Sequence, residues 1–242
     1  MPVSAFDPLE LTGRAASHVT TLLDPPCTLH RDVVAPFLAL RAAAAVDGID
    51  LVPVSTFRDF ARQLGIWNAK CRGERDLLAR DGTLLDPASL SEDELVRAIL
   101  DWSALPGASR HHWGTEIDVI DATATEPGTR PQLLPGEYLA GGRYARLGAW
   151  LDENLVRHGF FRPYATDRGG VQPEPWHLSH VQTAGAALAA FTPQMLLDAL
   201  DGAGLGAAAT VTARLPEIFE RYVLNVDPPP GGPGITPATR LS

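Results

Sequence analysis

The chain has 242 residues, 45% of them hydrophobic and 20% charged, an ordinary globular composition long enough to close one sizeable core. A formal net charge of −9 disfavours nucleic-acid binding, which needs a basic face, and electrostatic docking to anionic lipid. No uninterrupted apolar run is long enough to span a bilayer.

Residues 1–30 are mixed in character and hold Pro25 and Pro26, so they read as an N-terminal arm without regular structure. Asp7 and Glu10 lie where a signal peptide would carry a basic start and an apolar core, so the N-terminus does not read as one. A cytoplasmic protein, export by another route and a leader outside this sequence all stay open. Asp32 to Val46 is apolar and alanine-rich, with Gly48 beyond it as a C-cap, and predicts a buried helix with Pro36 in its first turn. Leu51 to Val54 is a short strand that Pro53 confines to a sheet edge. Helical periodicity returns from Phe57 to Cys71, and Ser91 with Glu94 forms a capping box for a helix over Glu92 to Trp102. Thr115 to Asp121 alternates as a strand does, and the prolines and glycines of residues 122–142 predict a long surface loop.

Tyr144 to His158 is amphipathic and stops at Gly159, with His158 placed to favour the helix C-terminus. Pro173 and Pro175 frame an extended segment before a helix expected near Leu178. Thr192 and Pro193 open another helix, and a last one is expected from about Leu215 to Val223. The proline-rich tail from Asp227 has little apolar content and reads as disordered. The expected organisation is an arm (1–30), a main catalytic domain (31–190), a C-terminal helical extension (191–226) and a tail (227–242). Helices come first and last with strands between, which predicts an α+β fold. Cys27 and Cys71 have no metal-ligand spacing; free structural thiols are favoured over a disulfide. Lys70 is the only lysine, a property of composition rather than function on this reading.

Two clusters of imidazole and carboxylate carry the chemistry. The first is Ser109-Arg110-His111-His112-Trp113-Gly114-Thr115-Glu116-Ile117-Asp118, in which a loop feeding a strand can bring His111 and Asp118 to one point. The second is Glu174-Pro175-Trp176-His177. A catalytic zinc site needs three protein ligands and an open position, plus a carboxylate off the metal to take a proton from water. His111, Asp118 and His177 supply such ligands, and Glu174 supplies the base.

The spacing Ser-x-His-x-x-Gly-x-x-x-Asp followed by Glu-x-x-His resembles the zinc D-Ala-D-Ala carboxypeptidases, a family that includes vancomycin-resistance D,D-peptidases, L,D-carboxypeptidases and phage endolysins. Ser55-Thr56-Phe57-Arg58-Asp59-Phe60, with Gln63 after it, resembles the family's Ser-Gly-Tyr-Arg-Ser segment and its later glutamine. The resemblance implies one Zn2+ per chain held by His111, Asp118 and His177, with Glu174 as general base. It places Arg58 over the scissile carbonyl or the substrate carboxylate, and makes Ser109 and Gln63 substrate-binding residues. It implies a small antiparallel sheet with helices packed on one side and zinc in a cleft. The implied partner is a peptidoglycan stem peptide or another D-Ala-terminated peptide, and the implied compartment is the cell envelope.

This chain departs from the family's usual small residue at Glu116, which could support a ligand or crowd the metal. Trp113 and Trp176 flank the ligands as cleft walls or as core aromatics. His112 and His180 stand outside the metal set. The D,D, L,D and endopeptidase alternatives remain open, as does the oligomeric state. A zinc-stabilised binding module of the same fold is the rival from another class, and the presence of Glu174 favours the enzyme.

Overall fold

The computed structural model describes residues 6–126 and 128–229. A short helix α1 (Pro8–Leu11) precedes the strands β1 (Val19–Leu23) and β2 (Pro26–His30), which pair antiparallel. The expectation that residues 1–30 lack regular structure is therefore corrected. Pro25 lies in the turn and Pro26 opens a strand, positions at which no ladder hydrogen bond is lost. Helix α2 (Arg31–Val46) follows directly, capped by His30, whose Nδ1 accepts from the backbone N–H of Asp32. Pro36 falls beyond the first turn, contrary to expectation. The buried stripe of Val33, Phe37, Leu40 and Ala44 offsets the lost backbone bond.

The central sheet has four antiparallel strands in the order β3 (Leu51–Ser55), β6 (Glu116–Asp121), β8 (His177–His180) and β7 (Phe160–Phe161). Pro53 sits in an edge strand, as the sequence predicts. Between β3 and β6 run α3 (Phe60–Cys71), a small hairpin β4 (Leu77–Leu78) and β5 (Leu84–Leu85), and α4 (Glu92–Trp102). Helix α3 starts three residues later than expected because Asp59, not an earlier residue, caps it through the N–H of Arg62. The capping box of Ser91 and Glu94 is present on α4. Helix α5 (Ala145–Asn154) comes after the long loop, and the chain turns at Gly159 with φ of 77°.

The predicted helix start near Leu178 is replaced by strand β8, with α6 beginning only at Val181 and running to Ala190. Residues 177–180 are too few to show a period of their own; pairing with β6 and β7 makes them a strand. Helices α7 (Pro193–Leu200), α8 (Ala208–Ala213) and α9 (Leu215–Ile218) complete the fold, the last continuing as a π-helical stretch to Leu224. Asp227, expected to begin a disordered tail, is anchored: its carboxylate accepts from the backbone N–H and hydroxyl of Thr166. The tail from residue 230 lies outside the described residues.

Two buried clusters form the interior. One joins the sheet to α2 and α5 through Val33, Phe37, Ile117, Val119, Leu147 and Leu178. The other joins α3, α4 and the C-terminal helices through Trp67, Ile99, Trp113, Leu196 and Phe219. Both cysteines are free thiols. Among the described residues no helix is long and apolar enough to cross a membrane.

Candidate metal centre

Alternation along β6 turns Ile117 and Val119 into the sheet's helix-covered core and leaves Glu116 and Asp118 on the opposite face. In β8, Leu178 faces the same core, and His177 and Ser179 share the face of Glu116 and Asp118. Register then does the rest: Asp118 lies opposite His177, and Glu116 opposite Ser179. His111 arrives from the short 3₁₀ turn Arg110–Trp113, which Gly114 ends at φ of 67° before β6 starts. A Cβ on Gly114 would stand 2.7 Å from the backbone nitrogen of His30, so the close passage of β2 demands glycine here.

The three residues converge. His111 Nε2 lies 3.3 Å from Asp118 Oδ2, and His177 Nδ1 lies 3.1 Å from Asp118 Oδ1. One ligand atom from each residue falls within 4.8 Å of the others, and all three residues are buried. Ligand atoms around a tetrahedral zinc stand about 3.3–3.5 Å apart, given bonds near 2.0–2.1 Å. The donor set fits such an ion in chemistry as well as spacing, and Asp118 Oδ1 is a buried oxygen with no hydrogen bond.

Neighbouring groups fix which nitrogen of each imidazole faces inward. His111 Nδ1 is 2.8 Å from the carbonyl oxygen of Thr56, which can only accept, so Nδ1 carries the proton and Nε2 the lone pair. His177 Nε2 is 2.8 Å from Glu116 Oε2, which leaves Nδ1 free to ligate. Of the two readings of Glu116, the geometry favours support: it does not crowd the ligands but holds one of them from behind.

Glu116 is itself heavily supported. Ser179 Oγ and Thr115 Oγ1 donate to its Oε1 at 2.8 and 2.9 Å, and Arg110 Nη2 stands 3.2 Å away. Burial opposes its charge, but the Arg110 guanidinium and the His177 and Ser179 hydrogen bonds outweigh it and hold the carboxyl at about 2. Burial likewise opposes charge on His177, yet the surrounding carboxylates of Asp118, Glu116 and Glu174 raise it well above its ordinary value. Three carboxylates around one imidazole make a strongly cation-seeking position.

The centre opens on a cavity of about 360 Å³. Glu174, Arg58 and Ser109 line it beside His111, Asp118 and His177. Glu174 Oε2 is 3.1 Å from His177 Nδ1. Arg58 donates from Nη1 to Gln63 Oε1 at 2.6 Å and from Nη2 to Ser55 Oγ at 3.0 Å, while its buried Nε has no partner. Gln63, expected to touch substrate, instead lies fully buried behind Arg58. Its amide is spent on Arg58 and on the carbonyl of Ala104.

Trp176 lines the cavity and also packs into the sheet's core, whereas Trp113 is purely a core residue, its indole N–H donating to the carbonyl of Leu11. Two residues not singled out from sequence join the site. Tyr164 walls the cavity with its ring centroid 5.2 Å from that of His177, and burial pushes its phenol up to about 12. Arg110 is buried over the Trp113 ring and tied to Ser179. Its place inside the Ser109-to-Asp118 motif was the available signal. His112 supports the site from beneath. Its Nδ1 donates to the Arg58 carbonyl at 2.5 Å, and its Nε2 accepts from the Gly107 N–H at 3.1 Å. The imidazole thereby fixes the backbone that carries Arg58.

A small antiparallel sheet with helices on one side, bearing a buried His/Asp/His set beneath a cleft, is the frame of a metallohydrolase. Residues 26–183, more than half of the chain, match the family VanY, D-alanyl-D-alanine carboxypeptidase. An uncharacterised protein of Haemophilus influenzae is 36% identical over 122 residues, 50% of this chain and 93% of that protein. The D-alanyl-D-alanine carboxypeptidase of Enterococcus faecalis is 29% identical over 152 residues, 61% of this chain and 47% of that protein. The chain thus spans about half the length of that second relative. Among solved structures, VanYB in complex with D-Alanine-D-Alanine is similar at a TM-score of 0.48 and 23% identity, over 80% of this chain and 87% of that one. The chain belongs to the VanY family of D-alanyl-D-alanine carboxypeptidases.

Proposed function

We propose that this protein is a zinc-dependent carboxypeptidase acting on D-alanyl-D-alanine-terminated or closely related peptides of the bacterial cell wall. The observation that carries the reading is the convergence of His111 Nε2, Asp118 and His177 Nδ1 on one point of the cleft, with Glu174 3.1 Å from His177. His111, Asp118 and His177 would hold the zinc ion, one per chain. When bound, it supplies a Lewis acid that polarises a carbonyl and lowers the pKa of water. Glu174 takes a proton from the attacking water and passes it to the amine that leaves.

Arg58 holds its guanidinium toward the oxygen on which negative charge develops, and Gln63 and Ser55 keep it there. Fixed donors of this kind are worth about 3–4 kcal/mol in a water-poor site. Gln63 is on this reading a positioning residue rather than a substrate contact. Ser109 lines the cavity and hydrogen-bonds the substrate. A guanidinium in the cleft also suits a terminal carboxylate, which favours an exopeptidase over an endopeptidase.

Metal content by mass spectrometry, together with release of D-alanine from acetylated Lys-D-Ala-D-Ala, tests the reading. One zinc per chain is expected, with release falling about 10²–10⁴-fold in Glu174→Ala while the metal stays bound. Absence of zinc would overturn the reading. Zinc without release from this or related wall peptides would convert the protein to a binding module, and cleavage confined to intact sacculi would make it an endopeptidase.

A further inference from the structure

The connection between β7 and β8, residues 162–176, is irregular throughout, yet it carries Glu174 and puts Tyr164 and Trp176 on the cavity wall. An irregular connection of this length keeps one shape only if its backbone groups find partners elsewhere. Two outside elements supply them.

The first is the turn between β4 and β5. Arg80 there donates from Nη1 to the carbonyl of Gly170 at 3.0 Å and from Nη2 to Asp167 Oδ1 at 2.6 Å. Its Nη1 also donates at 2.7 Å to Asp101 Oδ1, a buried carboxylate on α4. The backbone carbonyl of Asp101 accepts from the Gln172 N–H at 2.8 Å. The buried amide of Gln172 closes on Arg80, accepting from Nε at 3.0 Å and donating to the Arg80 carbonyl at 3.1 Å. A planar guanidinium serves all these groups at once, and an ammonium would not.

The second element is the C-terminal stretch from Phe219, which lies beyond the residues that match the family. Arg221 Nε donates to the carbonyl of Gly169 at 2.5 Å, and the Asp227 N–H donates to that of Pro163 at 2.9 Å. Asn225 accepts from Arg168 Nε at 2.9 Å and donates to the Arg168 carbonyl at 2.8 Å. A Cβ on Gly170 would stand 2.3 Å from the Arg221 carbonyl oxygen, so the two backbones touch. The Tyr222 hydroxyl meets Asp101 Oδ1 at 3.4 Å, which gives the two holds a common anchor. Only Pro173, with its fixed φ, separates the held Gln172 from Glu174, whose own N–H donates to the carbonyl of Tyr164 at 2.8 Å.

We propose that Arg80 is a positioning residue for Glu174: with the C-terminal stretch it clamps the loop at Asp167, Gly170 and Gln172, and Pro173 passes that fixed backbone on to the base. The inference rests on the peptidase reading above, in which Glu174 moves the proton, and it gives the C-terminal extension a part in turnover.

The experiment measures kcat and KM for acetylated Lys-D-Ala-D-Ala on zinc-loaded Arg80→Met, alone and combined with Glu174→Ala. Amide hydrogen exchange over residues 163–174 is followed in the same proteins. Arg80→Met is expected to lower kcat about 10–100-fold, as a base displaced by about 1 Å would, with KM and zinc content unchanged. It should add nothing once Glu174 is gone, because the two residues act as a unit. Exchange over the loop should quicken, and Arg80→Lys should recover only part of the rate.

Removing Arg80 strands the buried Asp101 carboxylate, so the exposed Asp167→Ala carries the test independently, with a smaller fall in kcat and the same non-additivity. Val211→Ala, a cavity in the C-terminal core away from the loop, is the control: it lowers thermal stability and leaves kcat intact. An equal loss with or without Glu174, or a kcat defect that Val211→Ala reproduces, would overturn the positioning role. Unchanged exchange in Arg80→Met would overturn the clamp. Absence of hydrolysis in the wild type, with exchange quickened in Arg80→Met, would sink the peptidase reading while upholding the clamp.

Discussion

Glu116 is fully buried and meets His177 from the side away from the cleft, so its charge acts on the metal ligands without touching substrate. Glu116→Gln keeps the shape but removes the charge that makes His177 a strong donor. Zinc affinity is expected to fall about 10–100-fold, the range found when such outer partners are altered. A chelator competition titration reads this directly, and unchanged affinity would mean that Glu116 serves only the fold. The meeting of His111, Asp118, His177 and Glu174 can be read from sequence because each sits in a short spaced motif: His111 and Asp118 around Gly114, Glu174 three residues before His177. The role of Gln63 escapes sequence, since nothing there tells which end of a glutamine points at a neighbouring arginine and which at a carbonyl.

At the scale of elements, the N-terminal segment and the loop of Arg58 are joined through His112. Gly13 lies against that imidazole with φ of 73°, and its carbonyl accepts from the N–H of Phe60 at the start of α3. A Cβ at this position would stand 2.3 Å from His112 Nδ1. Gly13→Ala is therefore expected to cost about 2–4 kcal/mol in stability, from backbone strain and displacement of a buried side chain together. Gly65 in α3 has open space around its would-be Cβ, so Gly65→Ala should leave stability unchanged or raise it by about 0.5–1 kcal/mol. Thermal denaturation of the pair checks both signs. The hairpin β1–β2 and the strand β8 are the elements least legible in the sequence. Pro25 and Pro26 mask a turn as a break, and β8 has four residues whose extended form comes from neighbours far along the chain. By contrast α4 and α7 carry their own start signals in Ser91–Glu94 and Thr192–Pro193, and both signals hold.

For the whole molecule, buried neutral imidazoles set a pH dependence of stability. Burial, reinforced by the nearby His18, holds His30 at about 4 despite Asp32. Burial and the nearby Arg58 and His111 charges hold His112 at about 3 despite its bond to the Arg58 carbonyl. An unfolded histidine titrates near 6.5, so between these values the unfolded chain binds protons that the folded chain refuses. Their contribution is complete above about pH 6.5 and is lost as the pH falls toward 4 and then 3. His177, raised well above its ordinary value, acts in the opposite sense, so unfolding free energies from urea titrations at pH 7 and pH 5 should show a net loss on the order of 2 kcal/mol at the lower pH. Equal values would mean that these imidazoles are hydrated in the folded state.

The pairing of β6 with β8 has a consequence for how the protein can change over time. One face of these two strands is core and the other is the metal centre, with Leu178 and His177 adjacent in sequence and opposite in direction. A slip of one residue would bring Leu178 into the cleft and bury His177 among apolar side chains, failing as a fold and as a site at once. Single insertions or deletions in this strand pair should therefore be absent from any working lineage. Divergence is left to side-chain exchange around the cleft, where substrate preference can drift while the frame stays fixed.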